Sequence, residues 1–173
     1  MSVEARALVS IEEYLNTSYD PDCDYVDGEL VERNVGEFDH ADLQGQILIY
    51  LNRYRKAGWI SVVEQRVQVA RTRFRVPDVC VMRAEKPMPQ IFRTPPVIAI
   101  EILSPEDKLS TMQKRIDDYL AFGIPNVWLI DPSERRAFIH TREGSVESTD
   151  LVLHARDCEI VLDLPEVFAA LED

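Results

Sequence analysis

The sequence of 173 residues lacks several features that would place it outside the ordinary globular proteins. No apolar run approaches the ~18 to 20 residues that a membrane-spanning helix needs. The first ten residues carry the acid Glu4 and no long apolar run, so we expect no secretory signal there. The three cysteines are too scattered to form a spaced metal pair, and at least one must stay unpaired. This cysteine usage indicates a reducing, cytoplasmic environment.

Positive charge is scarce as well, because 19 Lys and Arg stand against 31 Asp and Glu and the formal net charge is −12. Like charge repels phosphate at long range, which disfavours tight sequence-independent binding of nucleic acid. A local basic cleft stays compatible with this composition. The sequence contains one cluster of basic residues, formed by Arg66, Arg71, Arg73 and Arg75. These arginines either neutralise a phosphate backbone or are solvated.

The rest of the composition is typical of a single globular domain, with 46% hydrophobic and 29% charged residues and no internal repeat. We expect one folding unit over residues 1–173, with an N-terminal helical extension (1–23) and a core (24–173). The order of elements predicts an α/β sheet packed by helices. Local patterns predict a capped helix after Ser10, a hairpin over 24–34, helices over 38–57 and 105–122, a terminal helix after Pro165, extended chain within 59–70, an irregular stretch over 85–96, and strands over 79–82, 97–103, 126–130, 136–140 and 159–164.

Two acidic side chains belong to apolar strands. Glu101 lies inside the otherwise apolar run 97–103, and burying a lone carboxylate costs several kcal/mol unless it is paired, protonated or bound to a metal. It is either a core residue paired with an arginine or part of a site, and buried titratable groups favour the site. Asp78 precedes the strand 79–82; alone, its Pro-Asp dipeptide indicates a turn. Together, two carboxylates on adjacent strands make an oxygen site of the kind that Mg²⁺ accepts.

The helix predicted over 105–122 offers a cation for this site. Lys108 and Arg115 flank its apolar stripe, and the rise of the helix brings both near the depth of Glu101. Each is either the cation of the site or a solvated charge on the flank of the helix. At about 100° per residue, Lys114 points away from the predicted buried stripe of Leu109, Met112, Ile116 and Leu120.

A histidine is the third candidate. His40 precedes Leu43, Ile47 and Leu51 at helical spacing, which places it on the inward face of the first long helix. It is either a satisfied core or helix-end histidine or a member of the site.

The residues that carry these signals resemble the Uma-type restriction endonuclease family, a branch of the PD-(D/E)XK nuclease superfamily. The resemblance runs from about Tyr25 to Phe168. It rests on residues 25–30 (Tyr-Val-Asp-Gly-Glu-Leu), His40, residues 77–79 (Pro-Asp-Val), residues 100–105 (Ile-Glu-Ile-Leu-Ser-Pro), Tyr119 and residues 127–131 (Val-Trp-Leu-Ile-Asp).

This resemblance implies a restriction-endonuclease-like α/β fold, with a mixed central sheet flanked by helices. It also implies Mg²⁺-dependent hydrolysis of phosphodiester bonds in DNA, with Asp78 and Glu101 as ligands of Mg²⁺ or Mn²⁺. The lysine that the superfamily places two residues after the glutamate is Leu103 here. The substitute lysine of the Uma-type family, four residues before Tyr119, falls on Arg115. An arginine stabilises charge on a phosphate but stays protonated and does not readily act as a base.

Two hypotheses of different class follow. The first is a cytoplasmic metal-dependent DNA endonuclease, with Asp78 and Glu101 on the metal, His40 near the site and Arg115 or Lys108 as the stabilising cation; DNA is the expected partner and a homodimer is left open. The second is a catalytically inactive nuclease-fold module that binds nucleic acid or a protein. The net charge and the missing lysine favour the second hypothesis, and a glutamate inside a buried strand favours the first.

Overall fold

The protein is described by a computed structural model that covers residues 7–34 and 37–172. The first six residues of the predicted N-terminal extension lie outside these ranges. The helices are α1 (Ile11–Leu15), α2 (Phe38–Leu51), α3 (Leu109–Phe122) and α4 (Leu164–Ala170), and a 3₁₀ segment, Asn52–Ala57, continues α2. The strands are β1 (Cys23–Val26), β2 (Glu29–Glu32), β3 (Trp59–Val63), β4 (Val67–Ala70), β5 (Arg73–Arg75), β6 (Val79–Arg83), β7 (Ile98–Ile102), β8 (Asn126–Asp131), β9 (Arg136–Thr141), β10 (Gly144–Glu147), β11 (Val152–His154) and β12 (Val161–Asp163).

Six strands form the central sheet in the order β10-β9-β8-β7-β6-β3. β7 and β8 run parallel, and the other neighbouring strands run antiparallel. The chain forms α3 between β7 and β8, which is the crossover that a parallel pair requires. A smaller sheet, β2-β1-β5-β4, and the β11-β12 pair complete the fold. The predicted α/β architecture with a mixed central sheet flanked by helices is confirmed.

Strand β7 is buried along its whole length because both faces of the sheet are covered. Ile98, Ile100 and Ile102 belong to the core beneath α2 and α4. Ala99 belongs to the opposite core, beneath α3. Since side chains alternate along a strand, Glu101 lies on the α3 side of the sheet.

Two local predictions are confirmed by their backbone geometry. The Ser10 hydroxyl accepts a hydrogen bond from the Glu13 amide at 3.1 Å and begins α1. The hairpin turns at Asp27 and Gly28, whose φ angles of 51° and 99° are those of a two-residue turn between twisted strands.

The helix predicted to begin at Pro105 begins instead at Leu109, so that boundary is wrong. Asp107 explains the difference, because its Oδ2 accepts from the Ser104 amide at 2.7 Å and its own amide donates to the Ser104 carbonyl at 3.0 Å. These bonds close a separate turn, after which Lys108 adopts an extended backbone. The predicted burial of Leu109 is also wrong, since this residue is 73% exposed.

The basic segment 71–75, for which the sequence predicted no strand, contains β5. Arg75 is buried between Asp24 and Asp118, and Arg73 pairs with Asp27 and Asp118. Because these acids neutralise both arginines, the segment can form the inner strand of the small sheet. Sequence reasoning also missed β10 and β11; β10 is exposed throughout and therefore gives no apolar signal.

The three cysteines of the described chain, Cys23, Cys80 and Cys158, are free. None of the described helices combines the length and the apolarity needed to cross a lipid bilayer.

Candidate functional site

Strand register brings the two predicted carboxylates together. β6 and β7 pair antiparallel with Val79 opposite Ile100, so the next position in the same register sets Asp78 across from Glu101. The Ile102 amide donates to Asp78 Oδ2 at 2.7 Å, which holds this carboxylate at the end of β7. Two acids that are distant along the chain are therefore neighbours at one end of the central strands.

Asp78 is 3% exposed and is surrounded by donors. Arg33 Nη2 donates to its Oδ1, His40 Nε2 lies 3.4 Å from its Oδ2, and Gln44 Nε2 donates to its backbone carbonyl at 2.8 Å. Burial alone raises the pKa of Asp78, but the His40 hydrogen bond and the charge of Arg33 outweigh it and lower this pKa to about 2. The same hydrogen bond raises the pKa of His40. Asp78 is therefore ionised at neutral pH.

Glu101 is fully buried and only half satisfied. Its Oε1 accepts from the Tyr119 hydroxyl at 2.5 Å and lies 3.0 Å from Arg115 Nη2. Its Oε2 is buried with no hydrogen-bond partner in the described chain. Burial raises the pKa of Glu101 to about 8, against the opposing charge of Arg115, and the Asp78 carboxylate adds to the rise. The site therefore pairs an ionised aspartate with a glutamate that titrates near neutral pH.

Arg115 connects these residues to a third acid that sequence reasoning missed. Its Nη2 donates to the Val76 carbonyl at 2.7 Å, and its Nε lies 3.4 Å from Asp24 Oδ2. Asp24 also accepts from the Val76 amide and from Arg75 Nη1, both at 2.9 Å. Burial lowers the pKa of Arg115, but Asp24 and Glu101 outweigh it and raise it well above its usual value. Asp24 lies in β1 beside apolar residues, which is the same signal that identified Glu101 in β7.

The structure sorts the other predicted cations. Arg115 faces inward and is 9% exposed, whereas Lys114 is exposed, as the helical spacing predicts. Lys108 is exposed and forms no ion pair with either carboxylate within the described residues. His40 lies against Asp78. Arg33 carried no signal in the sequence that separates it from a surface arginine at the end of a hairpin.

Two surface depressions adjoin the carboxylates and meet at Asp107, which lines both. A groove of about 430 Å³ opens beside His40, between the start of α2 and the turn after β8. A smaller cleft of about 230 Å³ opens beside Arg33 and Arg115, between the β1-β2 hairpin and the start of α3. Neither Asp78 nor Glu101 lines either depression. Arg33, His40 and Arg115 do line them, and these three side chains contact the carboxylates.

The donor set fits a hard divalent cation in its chemistry. Asp78 and Glu101 are adjoining carboxylates, and the unpartnered Oε2 of Glu101 is the oxygen left for an ion. Both oxygens of Asp78 are engaged, so an ion can share Asp78 only where Arg33 or His40 releases an oxygen. In the part of the chain that the structure describes, no three His, Cys, Asp or Glu side chains are grouped as a metal site. Two carboxylates are enough for Mg²⁺, which proteins usually bind through one or two carboxylates while it keeps several waters.

Comparison with known proteins assigns the fold and the family. Residues 11–172 match the model of the Uma2 family, which is described as "Putative restriction endonuclease". The crystal structure of a "putative nuclease belonging to DUF820" from Anabaena variabilis matches with a TM-score of 0.81 and 23% sequence identity, and the match covers 94% of this chain and 99% of that chain. The search of curated proteins found no match. The chain therefore belongs to the Uma2 family and has the nuclease-like fold that its sequence implied.

Proposed function

We propose that the protein is a cytoplasmic, metal-dependent endonuclease that hydrolyses phosphodiester bonds in DNA. Membership of the Uma2 family supports nuclease activity in general. One observation carries the finer proposal: Glu101, whose buried Oε2 has no hydrogen-bond partner in the described chain, occupies the strand position across from the ionised Asp78, whose charge raises the pKa of Glu101. An open oxygen of this kind costs free energy in the free protein, so a ligand that completes its contacts is expected.

Each side chain around the carboxylates has a distinct role in this proposal. Asp78 and Glu101 would hold Mg²⁺, which would supply an activated water and offset charge on the scissile phosphate. Tyr119 donates to Glu101 and fixes its orientation. Arg115, held by Asp24, keeps its charge and stabilises a phosphate oxygen without accepting a proton. His40 lies 3.4 Å from Asp78, and because this contact raises its pKa and so favours its protonated form, it is the candidate proton donor beside that carboxylate.

One observation favours a second function, that of an inactive nuclease-fold module that binds nucleic acid or a protein. Arg33 already pairs with Asp78, and Arg115 already lies against Glu101. A buried carboxylate with a guanidinium partner can persist without a metal. In that case the carboxylates are structural and the chain binds its partner without cleaving it.

Thermal unfolding with added metal separates the two functions. A bound Mg²⁺ or Mn²⁺ stabilises the folded state by about 3 kcal/mol at a hundred times its dissociation constant, so the melting temperature should rise. Asp78→Asn and Glu101→Gln should each abolish the rise, while Glu147→Gln, which changes an exposed acid, should leave it intact. No rise at millimolar metal in the unmodified protein would contradict the nuclease proposal and leave the binding module.

Cleavage of plasmid DNA tests the cation. Arg115→Ala should lower the rate far more than Lys114→Ala, because only Arg115 contacts a carboxylate of the site. Arg115→Lys, which retains a positive charge, is the control for folding. The melting temperatures of Arg115→Lys and Arg115→Ala are compared, so that a loss of activity is not confused with a loss of folding. Equal losses from Arg115→Ala and Lys114→Ala would contradict the role of Arg115.

A further inference from the structure

Arg33 occupies one oxygen of Asp78. Its Nη2 donates to Asp78 Oδ1, and the guanidinium is largely buried, with the side chain 13% exposed. The Nε of the same guanidinium is buried without a hydrogen-bond partner in the described chain. A guanidinium presents its donors as a rigid planar fork, so Arg33 is satisfied on one edge and unsatisfied on another. The contact with Asp78 therefore leaves part of the hydrogen-bonding capacity of Arg33 unused.

Space for another position of this side chain adjoins Asp78. Arg33 lines the 230 Å³ cleft together with Lys108 and Arg115. Arg33 directly follows β2, which ends at Glu32, so its side chain can turn into the cleft without a break in the strand pairing of the hairpin. The lining of this cleft also includes the carboxylates of Asp24, Glu32, Glu106 and Asp107, so a freed guanidinium would meet groups of opposite charge there.

We propose that Arg33 is a positioning residue that holds Asp78 until a divalent ion displaces it into this cleft. A guanidinium and a divalent ion compete for the same carboxylate oxygen, and their like charges repel each other at that distance. Displacement relieves this repulsion and brings the freed donors to the carboxylates of the cleft. This inference rests on the proposed function, because it needs a metal at Asp78.

Direct Mn²⁺ binding tests the proposal without relying on activity. Free Mn²⁺ is measured by its electron paramagnetic resonance signal in titrations of the full chain, with Arg33→Ala and Arg33→Gln as test variants. Both variants should bind Mn²⁺ about tenfold more tightly than the unmodified protein, a factor within the usual range of coupling between sites. Arg53→Ala is the matched control, since Arg53 is an exposed arginine that pairs with Glu166 on another part of the surface. Its Mn²⁺ affinity should be unchanged.

Chemical labelling reports the position of Arg33 itself. Phenylglyoxal modifies accessible arginines, and peptide mass spectrometry locates the modified residue in the unmodified protein. Arg33 should be protected in EDTA and modified in saturating Mn²⁺, while the exposed Arg53 should react equally in both. An arginine with a purely structural role would show no such change.

The outcomes separate this inference from the proposed function. Equal Mn²⁺ affinity in all variants overturns the role of Arg33 and leaves the metal site in place. Tighter binding in the variants with unchanged labelling assigns the effect to charge alone and overturns the displacement. Mn²⁺ binding only in the Arg33 variants supports occupation of Asp78 by Arg33 but overturns nuclease function in the unmodified chain. Absence of Mn²⁺ binding in every variant overturns both proposals.

Discussion

Two groups of buried charges lie side by side and share Arg115 as their link, yet they use their polar atoms differently. The small-sheet cluster consists of Asp24, Arg73, Arg75 and Asp118, and none of its described side-chain atoms is buried without a hydrogen-bond partner. The carboxylate cluster consists of Arg33, Asp78, Glu101 and Arg115. It leaves three buried atoms without a hydrogen bond, namely Arg33 Nε, Glu101 Oε2 and Arg115 Nε, the last of which has only its 3.4 Å ion-pair contact with Asp24.

The difference distinguishes a group of charges that holds the fold from one that awaits a ligand. Buried polar groups in native proteins are nearly always hydrogen-bonded, and each exception calls for a physical reason. In both clusters each charge has a partner of opposite sign within the fold, so the difference lies in the hydrogen bonds. In the carboxylate cluster, the fold supplies the charges and leaves part of their bonding capacity unused, as a binding site requires.

The largest expected effect comes from breaking the small-sheet cluster. Asp24→Asn should lower the free energy of unfolding by about 3 to 5 kcal/mol, because Arg75 and Arg115 lose the carboxylate that compensates them. Urea unfolding at pH 7 measures the loss. Asp27→Asn is the matched control, since it removes an exposed partner of Arg73 and should cost much less. Equal losses in the two variants would show that burial of Asp24 does not matter to the fold.

A smaller effect, about 3 kcal/mol in total between pH 5 and 8, is expected from the pH dependence of the carboxylate cluster. The pKa of Glu101 rises from 4.5 to about 8 on folding, so its protonated form favours the folded state. This stabilisation is complete below pH 4.5 and is lost as the pH rises through 8. In EDTA, the stability of the unmodified protein relative to Glu101→Gln should therefore fall by about 1 kcal/mol per pH unit between pH 5 and 8, then level off. A constant difference across this range would contradict the raised pKa.

The smallest effect should come from Glu101→Gln at pH 7. Glutamine keeps the shape of the buried side chain and accepts from Tyr119 without the cost of a carboxylate that must be protonated on folding. We expect a gain of about 2 kcal/mol in the free energy of unfolding, from about 1 kcal/mol per pH unit between pH 5 and 7, in contrast with the loss from Asp24→Asn. A loss as large as that of Asp24→Asn would mean that Glu101 is a structural ion-pair partner and would remove the distinction between the clusters.

The parts of the fold that depend on local chemistry could be predicted from the sequence. The turn at Asp27 and Gly28 and the buried strand β7 follow from turn geometry and apolar pattern. The start of α3 could not, because Asp107 has two partners, the Ser104 amide nearby and Asn34 Nδ2 at 2.7 Å from the end of the hairpin. The second contact depends on tertiary packing, which a local capping signal does not contain.

The candidate site divides in the same way. Asp78 and Glu101 stand out because each acid adjoins an apolar strand, and the register between β6 and β7 brings them together. Arg33 and Gln44 reach Asp78 only after the hairpin and α2 have packed against the end of the sheet. Neither residue occupies a position in its own segment that sets it apart from an ordinary polar side chain. The acids of the site were therefore predictable, and most of the groups that tune them were not.

Arg115 makes the small sheet and the carboxylates mechanically dependent on each other. Its guanidinium forms one ion pair with Asp24 in the hairpin and another with Glu101 in β7. Any substitution that loosens the hairpin also alters the electric field at Glu101, even when it lies far from bound substrate. Attempts to make this scaffold more robust through the small sheet will therefore change the ionisation of its glutamate, and resistance to unfolding and chemistry cannot be adjusted separately.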